Sequence, residues 1–149
     1  HSIFQMTADY FWPAACHTDW QQLLTPVLSK AQGRSYIDEN VTQRRFTSAQ
    51  ALSQMGADLE IINDPERISR AGFKMDGLPH TMVINGPADF RGEEGEAPAD
   101  IRGATSLLIA ALSANGTSTI INVEQIHRGI ENPVGTLTSL GAKIHSAKF

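Results

Sequence analysis

One cysteine, Cys16, is all the sequence holds, which excludes an intramolecular disulfide and suits a reducing compartment. Apolar runs are short. None approaches the roughly 18 residues that a membrane span needs, and no basic-then-apolar opening marks a signal peptide. Basic charge is in deficit: 12 Lys and Arg stand against 16 Asp and Glu, a formal net charge of −4 with a pI near 5.7. A general nucleic-acid binder would carry the opposite balance to displace counterions. Anion binding survives that exclusion, because a few well-placed arginines can bind oxyanions inside an acidic protein. Paired Cys/His spacing for zinc and a phosphate-cradling glycine loop are both missing, so no metal and no cofactor is called for. An initiator methionine is missing too, and His1-Ser2 stands there as a tag remnant would. These absences lead to the expectation of a cytoplasmic domain with neither a membrane nor a nucleic acid as partner.

What is present is an ordinary globular balance, 41% hydrophobic and 19% charged over 149 residues, enough for one compact domain with a sizeable core. Trp20, Leu23, Leu24, Val27, Leu28 and Ala31 recur at the spacing of one helix face. Asp19 stands at the N-cap position of that helix, Gly33 at its C-terminal cap, and Pro26 inside it should kink it. A strand from Ser35 to Asp38 follows. After a loop ending Arg44-Arg45-Phe46, a second helix starts near Thr47, with Thr47 and Gln50 at capping-box spacing, and buries Ala49, Leu52 and Met55 before Gly56. Residues Asp58 to Ile62 read as a strand.

The same walk begins again at Asp100. Leu107, Leu108, Ala111 and Leu112 form a helix face that runs to Gly116, and Thr117 to Val123 is rich in β-branched residues and reads as a strand. A loop then carries Arg128-Gly129. Asn132-Pro133 opens another helix with cap and N1 proline in the favoured order, lined by Val134, Leu137 and Leu140 and ended by Gly141. Asp19 to Asp100 spans 81 positions, Arg45 to Arg128 spans 83, and Gly56 to Gly141 spans 85. A period near 80 is too long for a simple solenoid and suits a duplicated helix-strand-helix-strand unit. Residues 1–149 are thus expected to form a single α+β domain of two repeated units, about 1–80 and 81–149. Around this frame, Ile3 to Thr7 reads as a strand, Asn63 to His80 as a loop or hairpin, Thr81 to Asn85 as a strand entering a Gly86-Pro87 turn, and Arg91 to Pro98 as a solvated acidic loop.

Five segments, taken in order, carry a family likeness. Cys16-His17-Thr18-Asp19-Trp20-Gln21 is similar to the Phe-Pro-Thr-Asp-hydrophobic-Gln stretch of UDP-N-acetylglucosamine enolpyruvyl transferases. Arg45-Phe46 and the helix ending Met55-Gly56-Ala57 resemble their Glu-Asn-Arg-Phe segment and Met-Gly-Ala helix. Asp100-Ile101-Arg102-Gly103 resembles their Asp-Leu-Arg-Ala, and Arg128-Gly129-Ile130-Glu131 followed by Leu140-Gly141-Ala142 resembles their closing Arg-Gly-Tyr-Glu and Leu-Gly-Ala. The chain departs from the pattern at His17 (proline there), Gln43-Arg44 (Glu-Asn), Ile130 (tyrosine) and a residue inserted near Ala14-Ala15. The Arg-Glu-Lys-Glu-Ser-Asp-Arg run of the shikimate-pathway transferases is absent, which points to the amino-sugar branch.

The resemblance implies an enolpyruvyl-transferase-like lobe, part of an inside-out α/β barrel with helices inside and sheet outside, of which this chain would supply about two of three units. It also implies an activity for the full-length protein: transfer of the enolpyruvyl group of phosphoenolpyruvate to a hydroxyl of UDP-N-acetylglucosamine in peptidoglycan precursor synthesis. Without the missing N-terminal lobe this chain is expected to be inactive; a stand-alone binding module, or a different acceptor, is the alternative. By residue, the resemblance implies Asp19 as the base near the hydroxyl, Arg45, Arg102 and Arg128 gathered around phosphoenolpyruvate with Arg128 counted as catalytic, and Val41 touching the nucleotide sugar through its backbone. Arg44 competes with Arg45 for its place. Asp100 is expected only to cap its helix, and Cys16, aligned with a structural aromatic, to be buried and inert. Strand edges left open by the missing unit suggest a homodimer.

Overall fold

A computed structural model describes residues 3–8, 16–39, 41–42, 45–70 and 78–147. Four strands form the larger sheet: β1 (Ile3–Ala8), β2 (Gly33–Glu39), β3 (Asp58–Ile62) and β4 (Thr81–Gly86). Their order is β1-β2-β4-β3, with β1 parallel to β2 and the other two pairings antiparallel. The central place of β4 follows from its sequence. Thr81, Met82, Val83 and Ile84 are all buried, as a strand covered on both faces must be, whereas β3 alternates charged and apolar residues at the edge. A second sheet pairs β5 (Glu94–Glu96) in parallel with β6 (Thr119–Ile121).

Helix α1 (Thr18–Lys30) lies against the larger sheet on one side and against α4 (Ile101–Leu112) on another. Leu28, Ile37, Phe46, Met82 and Ile84 form the core under α1. Leu52, Met55, Phe90 and Leu107 form a second cluster between α2 (Ala49–Gln54) and α4. A third joins Ala104 and Leu108 of α4 to Ile126 of α5 (Glu124–Gly129) and Leu137 of α6 (Pro133–Ser139). Helix α3 (Pro65–Arg70) completes the set. Among the described residues no helix is long and apolar enough to cross a membrane.

The buried face of α1 differs from the apolar periodicity. Trp20 is 56% and Val27 53% exposed, while Gln21, Gln22, Thr25 and Ser29 are fully buried. The physical reason is close packing of two helices. Helix α1 packs against α4, four of whose six buried residues are small (Gly103, Ala104, Ser106 and Ala110), which lets the two helices approach closely. The polar groups this buries are partly satisfied within the helix: Thr25 Oγ1 donates to the Gln21 carbonyl at 3.0 Å and Ser29 Oγ to the Thr25 carbonyl at 2.8 Å. Pro26 sits inside α1 without dividing it.

Several boundaries also move. Asp19 is not the N-cap; His17 is, accepting from the Asp19 N–H through Nδ1, and Asp19 sits in the first turn. Ala31 closes the helix, and Gly33, at φ 97°, opens β2 instead. No capping box forms at Thr47, because its hydroxyl is drawn to Gln22 and Asp100, and the N-cap is Ser48 without a side-chain bond. The segment read as an acidic loop contains β5, since pairing with β6 uses its backbone whatever its side chains prefer. Arg128-Gly129 lies in α5, not in a loop, and the second-unit strand shrinks to Thr119–Ile121. Helix α4 stops at Leu112, short of Gly116, and Asn63 to His80 includes α3. The Asn132 cap and N1 proline of α6 are in place, with Asn132 Oδ1 accepting from the Gly135 N–H. Gly86-Pro87 is a cis peptide.

Candidate functional site

The first turns of α1 and α4 lie together because a polar clasp joins them. Asp100 caps α4, its Oδ1 accepting from the N–H groups of Arg102 (3.1 Å) and Gly103 (2.9 Å). The same oxygen accepts from Gln22 Nε2 of α1 at 3.1 Å, and Oδ2 accepts from Thr47 Oγ1, which ties in the start of α2. Gly103 is required at this crowded point: a Cβ there would stand 2.6 Å from Asp100 Oδ2 and 2.7 Å from Thr47 Oγ1. Asp100 thus does more than cap; it registers one helix start against the other.

That register sets Arg102 against Asp19. Arg102 Nη2 lies 2.7 Å from Asp19 Oδ2, and Arg45 Nη1 approaches Asp19 Oδ1 at 3.3 Å from the loop after β2. His17 Nδ1 stands 3.7 Å from Oδ2. The hydrogen bond from Arg102 holds the Asp19 carboxyl below the usual carboxylate range; partial burial opposes this, and the charges of Arg102, Arg45 and His17 reinforce it. Oδ1 is itself buried and accepts no hydrogen bond, the Arg45 contact being out of line for one. Asp19 lies between two guanidinium groups and keeps a spare acceptor oxygen, a setting that suits an anion next to a hydroxyl donor.

Three of the residues singled out from the sequence therefore converge: Asp19, Arg45 and Arg102. Arg44 and Gln43, and the insertion near Ala14-Ala15, fall outside the described residues. Val41 offers no free backbone donor, since its N–H is given to Glu39 Oε1 at 2.8 Å. The Arg128 side chain does not join the ion pairs around Asp19; its Nη1 donates to Gln125 at 2.8 Å. Its backbone is nonetheless at the same end of the fold, because Gly129 packs on Ile101 so closely that a Cβ would stand 2.5 Å from Ile101 Cγ2. Cys16 is half-buried against the core under α1, and burial pushes its thiol up, as suits an unreactive cysteine.

Residue-by-residue reading of the sequence missed Thr18 and Glu39. Both are buried behind Asp19: Thr18 Oγ1 donates to Glu39 Oε2 at 2.7 Å and accepts from Arg45 Nη1 at 2.9 Å. A signal was present in Asp38-Glu39, two acidic residues closing an otherwise uncharged strand end, because carboxylates placed there need partners. Asp38 finds Arg67 Nε at 2.8 Å and Thr81 Oγ1 at 2.8 Å, and the Arg67 guanidinium stacks over Tyr36.

A carboxylate held by two arginines at a helix start is a setting that can receive an anionic ligand. The comparison with known proteins narrows this. Residues 12–137 match the family of EPSP synthase (3-phosphoshikimate 1-carboxyvinyltransferase), and the chain belongs to that family. Among curated relatives it is 35% identical over 127 residues to the UDP-N-acetylglucosamine 1-carboxyvinyltransferase of Protochlamydia amoebophila, covering 85% of this chain and 27% of that protein. It is 35% identical over 129 residues to the enzyme of the same name from Chlamydia abortus, covering 86% and 29%. The chain therefore spans less than a third of the length of these relatives. Among solved structures, the enolpyruvyl transferase NikO from Streptomyces tendae aligns over 96% of this chain and 28% of its own, with a TM-score of 0.75 and 27% identity. An EPSP synthase from Acinetobacter baumannii shares the fold at a TM-score of 0.51 and 21% identity, over 68% of this chain and 21% of its own.

Proposed function

We propose that this chain is the C-terminal part of an enolpyruvyl transferase that acts on phosphoenolpyruvate and UDP-N-acetylglucosamine in peptidoglycan precursor synthesis. Catalysis would require the lobe that the rest of a longer cytoplasmic protein supplies. In this reading the two units stack with helices inside and sheet outside, and they place Asp19 where the acceptor hydroxyl enters. The observation that carries the reading is the convergence of Arg102 and Arg45 on Asp19, with Asp19 Oδ1 left without a hydrogen bond. In the transfer, the acceptor oxygen bonds to C2 of phosphoenolpyruvate as its proton passes to a base and C3 takes up a proton; C3 then gives up a proton, the C2=C3 double bond re-forms, and the C2–O bond to phosphate breaks. The arginines suit the carboxylate and phosphate, whose charge they bind bidentately. Asp19 suits the hydroxyl, and it becomes a competent base only as its arginines engage the incoming anion and its proton affinity rises. Arg128 and the backbone at Val41 complete the set by resemblance.

One observation favours a second reading with a different acceptor. His17, whose Nδ1 stands 3.7 Å from Asp19 Oδ2, occupies the place where the amino-sugar enzymes have proline.

Calorimetry decides between them. The folded chain is titrated with UDP-N-acetylglucosamine, with and without phosphoenolpyruvate, and the titrations are repeated on Asp19→Ala, Arg102→Ala and Arg128→Ala. Weak binding of both ligands, lost in the first two variants, supports the amino-sugar reading. Binding of phosphoenolpyruvate alone supports the second. Neither ligand binding at millimolar concentration counts against a half-site on this chain. Sedimentation of the same sample tests the homodimer, which a clean monomer at high concentration would refute.

A further inference from the structure

We propose that Glu39 is a positioning residue of this site: through the Thr18 hydroxyl it sets where the Arg45 guanidinium lies, and through two backbone N–H groups it sets the turn that carries Val41. As a role within the site this rests on the transferase reading above. The hydrogen bonds admit one consistent direction. A carboxylate only accepts, and an arginine only donates. Glu39 Oε2 accepts from Thr18 Oγ1 at 2.7 Å, while Oε1 accepts from the N–H groups of Val41 at 2.8 Å and Thr42 at 2.9 Å. The single hydroxyl hydrogen of Thr18 is therefore committed to Glu39, and its oxygen is turned to accept from Arg45 Nη1 at 2.9 Å. The same Nη1 reaches Asp19 Oδ1 at 3.3 Å, so the sequence Glu39, Thr18, Arg45, Asp19 is one connected array.

Glu39 is itself held rigidly. Its N–H donates to the His80 carbonyl at 2.8 Å and its carbonyl accepts from His80 Nδ1 at 2.8 Å. Its residue is 1% exposed and Thr18 is fully buried. Burying a carboxylate is costly unless it is well bonded, and starting a helix does not require it. Helix α4 begins at Ile101, which has no hydroxyl, and is capped by the Asp100 side chain. The buried acid therefore serves what lies in front of α1 rather than α1 itself.

Three variants test this. Thr18→Val removes the hydroxyl at nearly constant volume, and Thr18→Ser restores it. Glu39→Gln keeps the shape but must turn an NH2 group either toward Thr18, whose hydrogen then loses its acceptor, or toward the Val41 and Thr42 donors. The first readout needs no ligand: the Asp19 carboxyl is followed by carbon NMR across pH. Asp19 is expected to titrate at higher pH in Thr18→Val and Glu39→Gln, because Arg45 is no longer held beside it, and as wild type in Thr18→Ser. The second readout is calorimetric binding of phosphoenolpyruvate, expected to weaken about tenfold in Thr18→Val and to recover in Thr18→Ser, the loss of one well-placed charge-assisted hydrogen bond. Asp19 titrating unchanged in folded Thr18→Val overturns the proposal. Should Glu39→Gln fail to fold, the Thr18 pair alone decides. If the Asp19 titration moves as expected while the wild type binds no phosphoenolpyruvate, the transferase reading fails and the positioning of Arg45 by Glu39 stands.

Discussion

Replacing Arg102 by Met would remove the charge that dominates the surroundings of Asp19 while keeping most of the aliphatic stem. At the 2.7 Å separation of Arg102 Nη2 and Asp19 Oδ2, an unscreened Coulomb estimate at an effective dielectric of 20 would be about 6 kcal/mol. That figure overstates the loss. The two side chains are 35% and 36% exposed, so water screens the pair, and exposed pairs contribute about 0.2–1 kcal/mol. Arg102→Met is therefore expected to lower stability at neutral pH by about 0.5–1 kcal/mol, a Tm shift of about 2–3 °C for a chain of this size.

The sign of the pH dependence gives the sharper test. The folded protein holds the Asp19 carboxyl below its ordinary range, so the unfolded state binds the proton more readily. The stabilisation from Asp19 is fully present above the unfolded pKa of about 3.9 and is lost as pH falls through the lowered folded value. Thermal unfolding of wild type and Arg102→Met, measured from neutral pH downward, should show a gap that is constant to about pH 5 and closes in strong acid. A gap that stays constant into strong acid would refute the reasoning, since the loss would then come from packing of the Arg102 stem and not from its charge.

Two further substitutions test the frame beneath the site. Asp100→Ala removes the cap of α4 together with the acceptor for Gln22 and Thr47; urea denaturation should show a loss of about 2–3 kcal/mol, more than an isolated cap gives, and a loss under about 1 kcal/mol would mean that the clasp adds nothing. On α1, Trp20→Gln should change stability by less than about 0.5 kcal/mol, because Trp20 is largely exposed, whereas Leu28→Ala should cost about 2–4 kcal/mol, because Leu28 lies in the core under the helix. The reverse ranking in the same denaturation series would refute the assigned face.

What could be read from the sequence depended on whether one element or two decided the outcome. The strand Thr81–Gly86, the end of α2 at Gly56 with its φ of 108°, and the Asn132 cap of α6 were legible because each is settled by its own few residues. The face of α1 was not, because it depends on α4: apolar periodicity marks Trp20 and Val27, but the residues buried on α1, which packs against α4, include Gln21, Gln22, Thr25 and Ser29. Strand β5 was hidden for the same reason, its acidic side chains giving no sign of the backbone pairing supplied by β6. In the site, Asp19, Arg45 and Arg102 stood out by resemblance and charge. Thr18 and Glu39 did not, since a threonine followed 21 residues later by a glutamate has no spacing that announces contact.

The polar stripe that defeated the periodicity is also what builds the site. Apolar side chains between α1 and α4 would let the helices slide and rotate with little penalty, because contacts between such groups have no direction. Gln22 and Thr47, both bonded to the Asp100 carboxylate, remove that freedom, since each bond is lost if the helices shift by a fraction of their pitch. Two residues beyond Asp100 stands Arg102, and three before Gln22 stands Asp19, so the clasp fixes both members of the ion pair from less than one helical turn away. Breaking it by Gln22→Leu would leave the core larger and more apolar, yet should loosen the pairing of Arg102 with Asp19. The polarity of this interior is thus a property of the site, exchanged for the stability that an all-apolar seam would have contributed.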